Sequence, residues 1–142
     1  MDTVLKDPSL HKADPLIMTG AKQFEQCFSF DLAGCHQAML AMLFLDEDQG
    51  YLGYERLFSG EPKLTQGTLP LIQERVKYYQ AMRLVVGYKH PKNSGIIQMN
   101  MSALLRCLRN FFQDDNVKII DSILVVGSTG LSLRSCPGER SE

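Results

Sequence analysis

No stretch of this sequence is apolar for long enough to cross a bilayer. The longest such run, Ala38 to Leu45, falls well short of the ~20 residues that a membrane helix needs. The N-terminus has acidic residues where a secretion signal would want basic and apolar ones, so a soluble, cytoplasmic protein is expected. The chain also lacks a surplus of either charge. Its 15 Lys and Arg nearly balance 16 Asp and Glu, for a formal net charge of -1. A nucleic-acid partner would therefore need a strong local basic patch. The densest basic stretch, Lys89-His90-Pro91-Lys92, is expected to be a solvated turn rather than a phosphate cradle. Nucleic acid is accordingly not an expected partner. Four cysteines, Cys27, Cys35, Cys107 and Cys136, form no C-x-x-C pair. The first three have apolar neighbours, which predicts buried free thiols in a reducing compartment. There is no internal repeat.

What is present is an ordinary globular balance, 44% hydrophobic and 22% charged over 142 residues, enough for one core and too little for two. We divide the chain into a flexible N-terminal arm at 1–15, one domain at 16–133 and a flexible tail at 134–142, because the ends are aperiodic. Phe24, Cys27 and Phe28 recur at helical spacing and predict a short helix from Ala21 to Ser29. Ala38 to Leu45 reads as a strand buried on both faces. The turn residues Asp46 to Gly50 lead into a returning strand over Tyr51 to Phe58. After a loop at Gly60 to Gly67, Thr68 and Pro70 open a helix with Leu69, Ile72, Val76 and Tyr79 on one stripe. Leu84 to Tyr88 is a second buried strand, closed by turn residues from His90 to Gly95. A long helix follows, carrying Ile97, Met101, Leu104, Leu105, Leu108, Phe111 and Phe112. Val117 to Val126 predicts a strand, and Leu131 to Leu133 a final short one after a glycine-bounded turn. This order implies an α/β fold, a mixed sheet flanked by helices.

Three blocks in register resemble the RadC-type branch of the JAB/MPN (JAMM) metalloprotease superfamily. Leu43-Phe-Leu-Asp46 with Leu57-Phe-Ser-Gly60 is similar to that family's LxLD strand and F-R-G turn. Leu84-Val-Val-Gly-Tyr-Lys-His-Pro91 with Ser94-Gly95 is similar to its strand ending in H-N-H-P-S-G. Leu104-Leu-Arg-Cys-Leu108 and Ile119-Ile-Asp-Ser-Ile-Leu-Val125 are similar to L-T-R-R-L and L-L-D-H-I-I-V. The resemblance covers residues 16 to 133 and implies the cytidine-deaminase-like three-layer arrangement. It also implies a zinc site made of two histidines and an aspartate, with a glutamate as general base.

Carried over residue by residue, that site is degenerate. The second histidine is kept as His90, while the first falls on Tyr88. The aspartate falls on Met101, its preceding serine on Gln98, and the glutamate on Ala38. A helix slid by one residue would offer Asn100, a poor zinc ligand. Asp121 keeps the acid of the family's D-H pair, with Ser122 in place of its histidine. The resemblance therefore implies a pseudoenzyme with vestigial site residues Ala38, Tyr88, His90 and Met101. Such a chain would have no cofactor and would act on an unknown protein partner as an interaction or regulatory module. An exposed edge strand leaves a homodimer open.

Other readings stand beside that one. His90 precedes a proline at a strand end, where it could simply hydrogen-bond the loop backbone. A metal site could be rebuilt around His36 and His90, with Tyr88 and Cys35 nearby, if the first strand begins early enough to include His36. That would make the protein a zinc-dependent hydrolase. The vacated cleft, bordered by Ala38, Met101 and other methionines including Met39, Met42, Met82 and Met99, either fills with core or stays open as an adhesive apolar surface. The association of the RadC name with DNA repair supplies a further alternative, DNA binding, which the charge balance opposes.

Overall fold

The computed structural model describes residues 16–59, 68–89 and 95–133, apart from the side chains of 95–101. The arm at 1–15, the tail at 134–142 with Cys136, the Gly60 to Gly67 loop and most of the turn that begins at His90 lie outside the described residues. The elements are α1 (Ala21–Leu32), β1 (Met39–Leu45), β2 (Tyr51–Ser59), α2 (Thr68–Tyr79), β3 (Arg83–Lys89), α3 (Gly95–Phe112), β4 (Lys118–Val126) and β5 (Thr129–Ser132). They form a five-stranded mixed sheet in the order β2-β1-β3-β4-β5. Only β3 and β4 run parallel; the other neighbours are antiparallel.

Alternation along the strands decides which helix covers which face. Ala41, Leu43 and Leu45 of β1 join Val85, Ile123 and Val125 beneath Phe24, Phe28 and Leu32 of α1. Leu40, Met42 and Phe44 point the other way, with Leu84, Val86 and Tyr88, onto the stripes of α2 and α3. A strand buried on both faces has no polar alternation to show, which is why β1 reads as one apolar run. Gly87 faces α1 at its closest approach. A Cβ there would lie 2.1 Å from the ring of Phe28, so only glycine lets the helix settle on the sheet.

Local chemistry fixes the ends of these elements. At the start of α1, the Gln23 side chain reaches back to accept from the Thr19 amide and from its hydroxyl, the latter at 3.0 Å. The β1–β2 turn closes on Asp46, whose carboxylate accepts from the amides of Asp48 at 2.8 Å and Gly50 at 2.7 Å. Helix α2 ends with Gln80 at φ 56°. The Ala81 amide bonds the Val76 carbonyl and the Gln80 amide that of Lys77, the double closure of a Schellman cap. Asn116 at φ 59° turns the chain from α3 into β4.

Four sequence expectations are corrected. Helix α1 runs to Leu32, three residues past Ser29, because Leu32 is buried one turn beyond Phe28. The last strand is Thr129–Ser132 rather than Leu131 to Leu133, since the β4–β5 turn sits tightly on Gly127 at φ 61°. Cys107 is exposed, not buried, and Cys27 and Cys35 are half-buried; all three are free. Cys107 follows Leu104 and Leu105 in sequence, but the 100° step per helical residue turns it off their stripe. Finally, Lys89 is not in a solvated turn. It is the last residue of β3 and is 6% exposed.

Candidate functional site

The positions that the resemblance marks gather where β1 begins and β3 ends. Leu40 pairs with Tyr88 across the β1–β3 ladder, and Ala38 stands two residues upstream of Leu40. Tyr88 is wholly buried, packed in the core cluster of the α2/α3 face with Leu40, Leu104 and Leu105. Ala38 is half-buried and packs against the same cluster. Position 101 falls on α3 one turn before Leu104 and Leu105. His90 and the side chains of Gln98, Asn100 and Met101 lie outside the described set. His36 is exposed in a bend ahead of β1, which begins at Met39.

These residues do not fit zinc. Ala38 has no donor atom, and the Tyr88 ring lies in an apolar cluster rather than at an open coordination position. Among the described residues, no group of three or more His, Cys, Asp or Glu could hold a metal ion. We derive no metal-assisted step from them.

The next residue along β3 points to the opposite face. Lys89 sends its ammonium into the backbone at the end of α1, donating to the carbonyls of Leu32 at 3.2 Å and Ala33 at 2.9 Å. It also donates to Gly127, in the β4–β5 turn, at 3.1 Å. A cation belongs at that place, because the last carbonyls of a helix carry its negative dipole end. Lys89 thus ties α1, β3 and the β4–β5 turn together at one point.

Two polar networks clamp the edge strand β2, one on each face. Toward α1, Asp31 accepts from the Tyr54 hydroxyl at 2.6 Å and from Arg56 Nε at 2.9 Å. The Arg56 hydrogen bond holds the Asp31 carboxyl below its ordinary range, and the Tyr54 bond lowers it further against partial burial. Burial, and then the Asp31 carboxylate, push the Tyr54 phenol far above its usual value. Toward α2, Glu55 accepts from Arg75 in two bonds and from the Tyr79 hydroxyl at 2.5 Å. Partial burial pushes the Glu55 carboxyl up, but its bonds to Arg75 and Tyr79 outweigh that effect and leave it low. Both carboxylates are occupied by cation and phenol, so these are anchors of β2 rather than bases awaiting a substrate.

Asp121 is 3% exposed and accepts from Ser132 Oγ on both oxygens at 2.8 Å and from the Ser122 amide at 2.7 Å. The Ser132 amide donates to Glu25 of α1 at 2.7 Å. Asp121 therefore fastens the edge strand β5. Neither Lys89 nor this fastening was singled out by sequence reasoning, because Lys89 sits in a basic run and Ser132 next to loop residues. A lysine immediately after five buried strand positions was the available signal.

No family model matches the chain, and comparison with curated proteins finds no match. Among the described residues, no helix is long and apolar enough to cross a membrane.

Proposed function

We propose that this chain is a RadC-like JAB/MPN domain without metal chemistry, acting through protein contacts as an interaction or regulatory module. One observation carries the reading: Tyr88, at the position where the resemblance implies the first zinc-binding histidine, is sealed in the core of the α2/α3 face. A ligand position converted into packing cannot present a donor to an ion that must also hold an open site for water. Ala38 at the general-base position has no proton acceptor in its side chain. What remains is the scaffold, a mixed sheet with helices on both faces and two edge strands, β2 and β5, whose backbones are the natural places for a partner or a second copy to pair.

The test is elemental analysis of the purified, untagged protein after dialysis against trace zinc. Near-zero zinc is expected. About one zinc per chain, lost on His36→Ala or His90→Ala, would overturn the proposal and restore a hydrolase with a rebuilt site. Equilibrium sedimentation of the same preparation tests whether the partner is a second copy of the chain.

A further inference from the structure

At the end of the sheet opposite Tyr88, two clefts lie side by side with contrasting linings. Six residue steps along the chain separate Met82, just before β3, from Tyr88, about 20 Å of strand, so this end is independent of the site discussed above. The first cleft, about 370 Å³, is floored by Val76, Ala81, Met82, Phe112 and Val117. Three of these, Val76, Ala81 and Phe112, are at most 5% exposed, so the floor is the wall of the core itself. The second cleft, about 330 Å³, is lined by Arg109, Gln113, Asn116 and Lys118, and it shares Val117 with the first. Each falls within the lower part of the ~300–1,000 Å³ range of small-ligand sites.

The charges around the pair are unequal. Arg109 and Lys118 border the second cleft and Lys77 the first, against one carboxylate, Asp115. No ion pair among the described residues engages Arg109 or Lys118. Arg109 spends one long bond, 3.4 Å, on the Ile119 carbonyl, and its fork has further donors suited to a planar acid group.

We infer that the paired clefts bind a small amphipathic anion, an apolar body with a carboxylate or similar acid group. The apolar body lies over Phe112, Ala81 and Val117, and the acid group meets Arg109 and Lys118 across the Val117 ridge. The complementarity is specific in direction: reversing the molecule would place an acid against apolar walls, and an uncharged analogue would leave the cations without a partner. Binding here requires nothing of β1 or of the Tyr88 end, so this inference and the proposed loss of metal chemistry stand or fall separately.

The test is a titration of the full chain with octanoate, followed by amide chemical shifts. We expect saturable shifts at Ala81, Asn116 and Val117. Octanol should bind at least about tenfold more weakly, the factor lost with roughly one charge-assisted hydrogen bond. The double variant Arg109→Gln/Lys118→Gln should bring octanoate to the level of octanol, while Lys22→Gln on α1, across the sheet, should leave the affinity unchanged. Should the double variant lose its native spectrum, raising the salt concentration on the wild-type protein decides instead, because an exposed ionic contact weakens with screening. Absence of saturation at these amides, or equal binding of octanoate and octanol, overturns the inference. So does an affinity indifferent both to the two cations and to salt.

Discussion

Replacing Lys89 by methionine removes the ammonium while keeping a side chain of similar length. In the wild-type protein that ammonium serves three carbonyls. Leu32 keeps a partner, because its carbonyl also accepts the Cys35 amide at 3.0 Å. Ala33 and Gly127 lose the lysine bond that their carbonyls accept. Both bonds are only part-buried, so losing each costs toward the low end of the about 1–3 kcal/mol of a fully buried unsatisfied group, and a cation at a partly buried helix C-terminus contributes up to about 2 kcal/mol. Against this stands the relief of no longer desolvating a charge on a residue that is 6% exposed. The balance is a destabilisation of about 3 kcal/mol, which for a chain of this size lowers Tm by roughly 10 °C. The sequence contains no tryptophan, so urea unfolding is followed by circular dichroism, comparing midpoints at constant slope. A variant within about 0.5 kcal/mol of wild type, the range of an inconsequential surface change, would refute the reasoning. It would mean that water satisfies these carbonyls as well as lysine does.

Three further perturbations follow from the same structure. Gly87→Ala places a methyl group against the Phe28 ring, which is itself wholly buried, and should cost about 2–3 kcal/mol by overpacking in the same urea assay. Gln80→Gly relieves a left-handed residue at the end of α2 and should stabilise by roughly 0.5–1 kcal/mol; a loss of stability would show that the Gln80 side chain contributes more than its backbone costs. Asp31 has a depressed carboxyl pKa, so its contribution is present above the unfolded value of about 3.9 and is lost as pH falls through the folded one. With the pair's side chains 47% and 29% exposed, Asp31→Asn should cost at most about 1 kcal/mol at pH 7. Urea midpoints of the two proteins should converge below about pH 4, and a gap that stays constant in acid would exclude Asp31 as its source.

The parts of this fold that local periodicity dictates were legible in the sequence. The β1 run, the Asp46 turn, the α2 stripe and the α3 pattern each state their own environment, because burial on one or both faces writes directly into residue type. The ends and the exceptions were not. Phe30, which is 92% exposed, interrupts the apolar stripe of α1, so the helix reads as ending before Leu32. Lys89 is read as solvent-facing because a lysine is usually there, and only the approach of α1 and the β4–β5 turn supplies its three acceptors. At the candidate site, Ala38 and Tyr88 were singled out by the resemblance, whereas the burial of the Tyr88 ring depends on the helices that cover that face of the sheet. The paired clefts had no sequence signal, since they arise where the ends of α2 and α3 stand beside the start of β4.

The strand order has a kinetic consequence. The β1–β2 and β4–β5 pairs are joined by short turns and form the two sides of the sheet, while β3 is stitched between them by one antiparallel and one parallel ladder. Each short turn closes at little entropic cost, but the parallel seam must wait for the whole of α3 to be spanned. Assembly then amounts to two preformed ribbons meeting on a late-arriving central strand. The ladder between β3 and β4 is therefore the last to close, and it joins N-terminal and C-terminal stretches that α1 and Lys89 also bridge.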